Sequence, residues 1–302
     1  MARAMSSRYT FEIDLGEPNE SHTMAIARVP ARSDVLDVGA ADGSVARVLR
    51  AMGCRIWGVE LDEEAAAVAR QVCEEVVVGD VETIDLQASF GRPFDVILLL
   101  DVLEHLKEPG TVLAQARDLL ADEGWILVSL PNVAHAAVRL QLLDGRFVYT
   151  DVGLLDRTHL RFFDRQGVEA LFADAGMSIL ELARVTCGLT ETEIPVGDAD
   201  PEIVERLRCD PEAETFQFVA MAVPEGSRLV EDPPVLPARD LQDRVRELHA
   251  EVEAARRERS TLFHARLDGL AFRGAEQRQI LHTLLFELRD GTREAVARLE
   301  DR

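Results

Sequence analysis

The 302-residue sequence lacks the long apolar segments that mark membrane and secreted proteins. Its apolar runs are short, and the run Val96–Leu100 ends at Asp101, whereas a membrane-spanning helix needs ~20 apolar residues. The amino-terminal stretch contains no apolar core of the kind found in signal peptides. We therefore expect a cytoplasmic protein that does not insert into a membrane.

Cysteines and basic residues are also scarce. None of the four cysteines belongs to a C-x-x-C pair, so the sequence predicts neither a zinc knuckle nor a disulfide framework. The chain has 33 Lys and Arg against 55 Asp and Glu, which gives a formal net charge of −22. Because nucleic acids and anionic membranes bind basic surfaces, this balance argues against both as the main partner.

What the sequence does contain is an alternation of short apolar runs and helical patterns over residues 34–130. This alternation is typical of a doubly wound α/β fold with a mostly parallel sheet. Seven strands are predicted, at Asp34–Val38, Arg55–Val59, Glu75–Val78, Phe94–Leu100, Trp125–Leu130, Met177–Val185 and Thr215–Val223. Helices are predicted at Ser44–Met52, Glu63–Cys73, Gly110–Leu120, Val133–Leu143 and Asp164–Ala175.

The pattern divides the chain into four segments. We expect an N-terminal cap segment at 1–33, the α/β domain at 34–223, a Pro-containing linker at 224–237 and a helical tail at 238–302. Apolar residues of the tail recur at heptad spacing. Two interpretations stay open for it: a helical hairpin or frayed tail, or a short coiled coil that would support a homodimer.

A glycine-containing turn follows the first predicted strand, with the pattern Asp37-x-Gly39-x-x-x-Gly43. Glycine allows a tight turn and close approach of a ligand, and the following helix offers free N–H groups. A dinucleotide fingerprint would need G-x-G-x-x-G, but position 41 is Ala and no third glycine opens the helix. The carboxylate of Asp37 would repel a pyrophosphate but could hold a cationic amino group.

Acidic residues also end the next three strands: Glu60, Asp80 and Asp101. Open α/β sheets bind ligands at this carboxyl edge, and an acid at the tip of the second strand can accept hydrogen bonds from ribose hydroxyls. Asp62, two residues further on, fits a helix-capping role better than Glu60 does. Four acidic strand ends in order indicate a nucleoside-binding edge.

These motifs resemble class I S-adenosylmethionine (SAM) dependent methyltransferases of the ubiquinone-pathway O-methyltransferase-like group, and more closely their glycosyltransferase-associated bacterial relatives. The resemblance covers roughly residues 8–223. It rests on VLDVGAADG, GVELD, GDVE, FDVILLLDVLEHL and ILVSLPNVAH, and on residues 9–14, 19–22 and 145–163. It implies a Rossmann-like methyltransferase whose cofactor residues are Asp37, Gly39, Ala40, Gly43, Glu60, Leu61, Asp80, Val81, Asp101 and His22.

Candidate catalytic residues follow the fourth strand and lie in a later loop: Glu104, His105 and His159. Imidazole titrates near neutrality, so His105 suits removal of a hydroxyl proton; the alternative is that Glu104 and His105 only cap and pack a helix. Asp101, Glu104, His105 and His159 also resemble the divalent-metal set of small-RNA 2′-O-methyltransferases. This sequence departs from that metal-binding set at Asp101, because the set has Glu at that position.

The resemblance leaves the acceptor open. We expect O-methylation of a small molecule or of a sugar or glycan precursor, with a quinone-like or natural-product phenol as the alternative. An NAD-dependent oxidoreductase and a non-catalytic scaffold are hypotheses from other classes. Candidate acceptor-binding residues are Asn132, His135, Arg139, Tyr149, Arg157 and Arg161.

Overall fold

Seven strands form one sheet in the order β3-β2-β1-β4-β5-β7-β6. The computed structural model describes residues 13, 15–196 and 200–234. The strands are β1 Asp34–Val38, β2 Arg55–Glu60, β3 Glu75–Val78, β4 Phe94–Leu100, β5 Leu120–Pro131, β6 Met177–Thr186 and β7 Thr215–Pro224. Strands β1 to β5 pair in parallel, and β7 runs antiparallel between β5 and β6. The predicted doubly wound, mostly parallel sheet is therefore confirmed.

Eight helices of the described residues flank this sheet or its loops. They are α1 Ser21–Ile26, α2 Ser44–Ala51, α3 Glu63–Ala69, α4 Leu86–Phe90, α5 Pro109–Arg117, α6 Ala136–Leu143, α7 Arg165–Asp174 and α8 Pro201–Arg208. Short 3-10 helices lie at Leu103–His105 and Arg228–Val230. Within the described ranges, none of these helices has both the length and the apolarity to cross a bilayer.

Two hydrophobic layers enclose the central strands. One contains the inner sides of α1 and α2, and the other contains those of α5 and α7. Strand β4 supplies residues to both layers, as expected for a strand that is apolar on both faces. A third, smaller cluster joins α6 to the segments around Leu155 and Leu189. The site described below lies beyond the carboxyl ends of the parallel strands.

The main departures from the predicted elements are at helix and strand ends and in polar segments. Strand β5 begins at Leu120 rather than Trp125, because Leu120 pairs with Phe94 before a register shift. Helices α1, α4 and α8 were not predicted. In α8, Asp200 caps the helix and Pro201 occupies its first turn, so capping and not periodicity was the available signal.

Several predictions about segments fall on residues that are not described. The 238–302 tail, its coiled coil and the homodimer through it lie outside the described residues. Only 13 and 15–33 of the N-terminal cap segment are described, and they include α1. Of the linker, residues 224–234 are described. The division into these four segments stays a prediction.

Candidate active site

The loop between β1 and α2 turns sharply at the carboxyl edge of the sheet. Gly39 has φ +84°, and a Cβ there would lie 2.5 Å from Cγ2 of Val102, in the loop after β4. The N–H groups of Gly39 and Ala40 both donate to the carbonyl of Val59. Gly43, with φ +79°, is the N-cap of α2, which has no side-chain cap. The turn thus brings backbone close to the tips of β2 and β4.

Glu60 ties this turn to the end of β2. Its Oε2 accepts from the N–H of Ala41 and its Oε1 accepts from the N–H of Asp62, both at 2.8 Å. The adjacent Leu61 is 68% exposed, although it is a large apolar residue. Asp62 caps α3 by accepting from the N–H of Ala65, so its predicted capping role is confirmed. Two backbone hydrogen bonds thus hold the Glu60 carboxylate next to an exposed apolar residue.

Asp80 follows β3 at the same edge. Its side chain is exposed, and Oδ1 accepts from the N–H of Glu82 at 2.9 Å. The neighbouring Val81 is buried in the layer that covers α5 and α7. The carbonyl of Asp80 also accepts from the N–H groups of Thr83 and Ile84, so the turn after β3 is held by hydrogen bonds to this one residue.

A buried carboxyl lies beneath the glycine turn. Asp37 is 3% exposed, and its Oδ2 has no hydrogen-bond partner among the described residues. Burial raises the pKa of Asp37 to about 7; the neighbouring His22 opposes this rise and Glu60 adds to it. A buried carboxyl oxygen without a partner costs free energy unless a ligand satisfies it. A cationic group bound here would do so.

His22 of α1 lies above this carboxyl. Its Nδ1 is 2.8 Å from Glu20 Oε1, and its Nε2 is 3.9 Å from Asp101 Oδ2. Burial alone would lower the pKa of His22, but the hydrogen bond to Glu20 and the negative charges of Asp101, Glu20 and Asp37 raise it above its ordinary value. The helix therefore brings the His22 imidazole to the acidic tips of β1 and β4.

Asp101 ends β4 in a conformation that non-glycine residues rarely adopt, with φ +55°. Its Oδ1 accepts from the hydroxyl of Ser129, at 2.6 Å, and from Nε2 of Gln217, at 2.8 Å. Its N–H donates to the Ser129 hydroxyl at 2.9 Å. Bonds from β5 and β7 thus hold Asp101 in place and leave Oδ2 on the side of His22.

Glu104, His105 and His159 come together next to this strand end. One ligand atom of each lies within 4.8 Å of the others. Glu104 is buried, and neither of its carboxyl oxygens has a hydrogen-bond partner among the described residues. Burial and the charge of Asp101 raise the pKa of Glu104 well above its ordinary value. The Asp101 carboxylate, bonded as described, is not a member of this cluster.

The loop after Asp156 completes the cluster by folding back onto the 3-10 helix. The N–H groups of Leu160 and Arg161 donate to the Glu104 carbonyl, at 2.8 and 3.0 Å. Nδ1 of His105 lies 3.2 Å from the Thr158 carbonyl, which can only accept, so Nδ1 donates and the neutral ring has its lone pair on Nε2. The rings of His105 and His159 are 4.9 Å apart.

Two of the predicted acceptor residues, Asn132 and His135, are buried, and their side chains form hydrogen bonds within the protein. Asn132 Nδ2 donates to the carbonyls of Glu212 and Thr215, and its Oδ1 accepts from Ala134. Nδ1 of His135 caps α6 by accepting from Ala137, and its Nε2 lies 3.0 Å from the Cys187 carbonyl. These contacts hold the segment that follows β5 against the start of β7 and against Cys187.

The other predicted acceptor residues lie nearer the surface. Arg139 pairs with Asp210 at 2.5 Å and Arg157 with Asp151 at 2.6 Å, while Arg161 Nε donates to the Lys107 carbonyl at 3.0 Å. Tyr149 is exposed beside Phe147. The structure therefore places the aromatic ring, and not Asn132 or His135, on an accessible surface.

Sequence reasoning missed three residues that build the site: Glu20, Ser129 and Gln217. Glu20 precedes the short helix α1 and caps it; it lies in the 19–22 segment that carries part of the resemblance, but that segment assigns it no role. Ser129 and Gln217 are isolated polar residues in apolar strands. Such residues are candidates for contacts at a sheet edge, but the partner depends on strand order.

Comparison with known proteins gives the family. Residues 17–182 match a family model described as "Methyltransferase domain". A "Ubiquinone biosynthesis O-methyltransferase" of Thiobacillus denitrificans is 26% identical over 160 residues, 52% of this chain and 69% of that protein. One of Burkholderia cenocepacia is 31% identical over 155 residues, 50% and 67% of the two chains.

Solved structures of SAM-dependent methyltransferases are also similar, at low identity. One from Archaeoglobus fulgidus has a TM-score of 0.49 and 15% identity, covering 66% of this chain and 89% of that one. Magnesium protoporphyrin IX methyltransferase of Synechocystis with bound SAH (S-adenosylhomocysteine) has a TM-score of 0.48 and 14% identity, covering 72% and 90%. The family model covers more than half of the chain. The protein belongs to the methyltransferase domain family and is a SAM-dependent methyltransferase.

Proposed function

We propose that SAM lies across the carboxyl edge, with its amino acid part over β1 and its nucleoside over β2 and β3. The Asp37 oxygen that lacks a partner would accept from the ammonium group, with His22 beside it. Glu60 would accept from the ribose hydroxyls. Asp80 would accept from the adenine amine, and the exposed Leu61 would pack on the ring. The sulfonium then points towards Asp101.

The acceptor that this arrangement supports best is a hydroxyl of a sugar, a glycan precursor or another small molecule. The observation that carries this proposal is the cluster of Glu104, His105 and His159 at the tip of β4. A hydroxyl oxygen bound there attacks the methyl carbon in line with the C–S bond. That bond breaks, sulfur leaves with the electron pair as the neutral thioether of SAH, and Nε2 of His105 takes the hydroxyl proton.

The same three residues fit a divalent cation. Glu104 has two buried oxygens without partners, and each imidazole supplies one nitrogen; this mixture suits Zn²⁺ or Mn²⁺. When bound, such an ion would polarise the acceptor hydroxyl and lower its pKa; Nε2 of His105 would then be an ion ligand and would not also serve as the base. Glu104 would be ionised by the ion, and the Thr158 carbonyl would hold the His105 ring in the required tautomer.

Release of SAH with a panel of acceptors tests this proposal. The panel contains free hexoses, nucleotide-activated hexoses and a catechol, each with and without Mn²⁺. We expect turnover with a sugar hydroxyl, and a loss of about 100-fold or more in His105→Ala with SAM affinity retained. Asp118→Asn, which changes an exposed carboxylate, is the control. Equal losses of turnover and SAM affinity in His105→Ala would assign the residue a structural role.

A phenol is the second candidate acceptor, because the curated relatives are named for ubiquinone biosynthesis. The chemistry at His105 would be the same, since a phenol also loses a proton on methylation. Turnover of the catechol without turnover of any sugar would favour this alternative and overturn the sugar proposal.

A further inference from the structure

An exposed aromatic surface adjoins the cluster. Phe147, Tyr149 and Phe162 are each more than a third exposed. The Phe147 ring centroid lies 5.3 Å from that of Tyr149 and 5.7 Å from that of Phe162. We call these three residues the aromatic patch. Ring contacts continue from Phe162 to His159, at 6.1 Å, and from His159 to His105, at 4.9 Å. The patch is therefore continuous with the proposed acceptor site.

Exposed apolar residues are concentrated in this part of the chain. Of thirteen large apolar side chains exposed in the described ranges, eight lie between 142 and 162. Besides the patch they are Leu142, Leu143, Val148, Val152 and Leu160. Contiguous exposed apolar side chains mark binding sites, and the three rings of the patch are in contact with one another. Because five of the eight are aliphatic, the composition suits a hydrocarbon better than a sugar ring or a base.

We propose that the aromatic patch binds the apolar tail of an amphipathic acceptor, whose hydroxyl-bearing sugar head lies at Glu104, His105 and His159. This inference rests on the proposed function, and it names the substrate class as a glycolipid-like molecule. The tail would cover the exposed faces of Phe147 and Tyr149, and removal of this apolar surface from water would favour binding.

Two other occupants fit the observations less well. The net charge of −22 disfavours an anionic membrane surface, and the arginines near the patch are engaged, with Arg146 paired to Asp144 and Arg157 to Asp151. In a dimer of this chain, the aromatic patch of one copy would pack on that of the other. Such packing would not account for the ring contacts that lead from Phe162 to His105. Both occupants are outcomes of the experiment below.

The experiment is calorimetry on the full chain loaded with SAH, titrated with dodecyl maltoside below its micelle concentration and, separately, with maltose. We expect dodecyl maltoside to bind at least about tenfold more tightly than maltose. Phe147→Ser and Tyr149→Ser should each remove most of that difference. Ile203→Ser changes an apolar residue of α8 that is 37% exposed, close to the 40% of Phe147, and should leave it intact.

The controls separate this inference from the proposed function. SAH affinity is measured first for every variant, and failure of the wild type to bind SAH would count against the methyl-transfer proposal itself. With SAH bound, equal affinities for the two sugars, or serine variants that behave like wild type, would overturn the tail-binding inference alone. So would a Phe147-dependent dimer in sedimentation, or Phe147-dependent binding to phosphatidylglycerol vesicles in place of the monomeric glycoside.

Discussion

Gly39→Ala should destabilise the protein more than its positive φ alone would explain. Two costs add at this position: about 1–2 kcal/mol for a side chain in the left-handed region, and about 1–3 kcal/mol for overpacking. The second cost arises because the new Cβ would lie 2.5 Å from Cγ2 of Val102. We expect a total loss of about 2–5 kcal/mol in the free energy of unfolding.

Gly145→Ala is the matched control. Gly145 has φ +71°, and among the described residues no heavy atom beyond its own and its chain neighbours' lies within 4 Å of the position that its Cβ would take. Urea unfolding monitored by circular dichroism should therefore show a loss of about 1–2 kcal/mol for Gly145→Ala. Adding Val102→Ala to Gly39→Ala should remove the overpacking cost only, and a double-mutant cycle measures this coupling. Equal losses for the two glycine variants, or no coupling to Val102, would refute the reasoning.

Three further predictions concern carboxylates of the proposed cofactor site. Glu60→Gln should weaken SAM binding by about 1–3 kcal/mol, because one of two acceptor oxygens is replaced by a donor; calorimetry checks this against the exposed control Glu63→Gln, and an unchanged dissociation constant would contradict it. The pKa of Asp37 is raised from 3.8 to about 7, so ionising this buried carboxyl costs stability. The unliganded protein should lose stability as the pH rises from about 4 to 7, and above this range the loss should be roughly 4 kcal/mol. Asp37→Asn should therefore stabilise the unliganded protein more at about pH 8 than at about pH 5, and a pH-independent gain in urea unfolding would argue against this. Glu20→Gln should lower the pKa of His22, because it removes the hydrogen-bonded charge that raises it; an NMR titration that finds no decrease would exclude the pairing.

The sheet could be predicted from sequence because its central strands are apolar on both faces and end in acids. Strand β4, for example, has the predicted bounds Phe94–Leu100. Asp37 and Glu60 were identified in the same way, since each ends a parallel strand and such ends share one edge. Hydrophobic periodicity and strand order were therefore enough to predict the sheet and these two residues of the proposed cofactor site.

The acceptor side could not be predicted with the same certainty, because its contacts join residues far apart in sequence. His159 approaches His105 only because the intervening loop folds back and donates to the Glu104 carbonyl. His135 follows a strand end and is a predicted acceptor residue, yet it is buried, with its ring bonded to the start of α6 and to the Cys187 carbonyl. Whether a polar residue faces a ligand or the interior depends here on loop packing, which local patterns do not encode.

Calorimetric titration of the full chain with SAM, SAH and NAD tests the proposed cofactor site most directly. Acidic side chains at successive strand tips should give one site per chain for SAM and SAH and no heat with NAD. Asp37→Asn combined with Glu60→Gln should abolish the SAM and SAH signals. Saturable NAD binding, or SAM binding that survives the double substitution, would contradict the proposal that these carboxylates hold the cofactor.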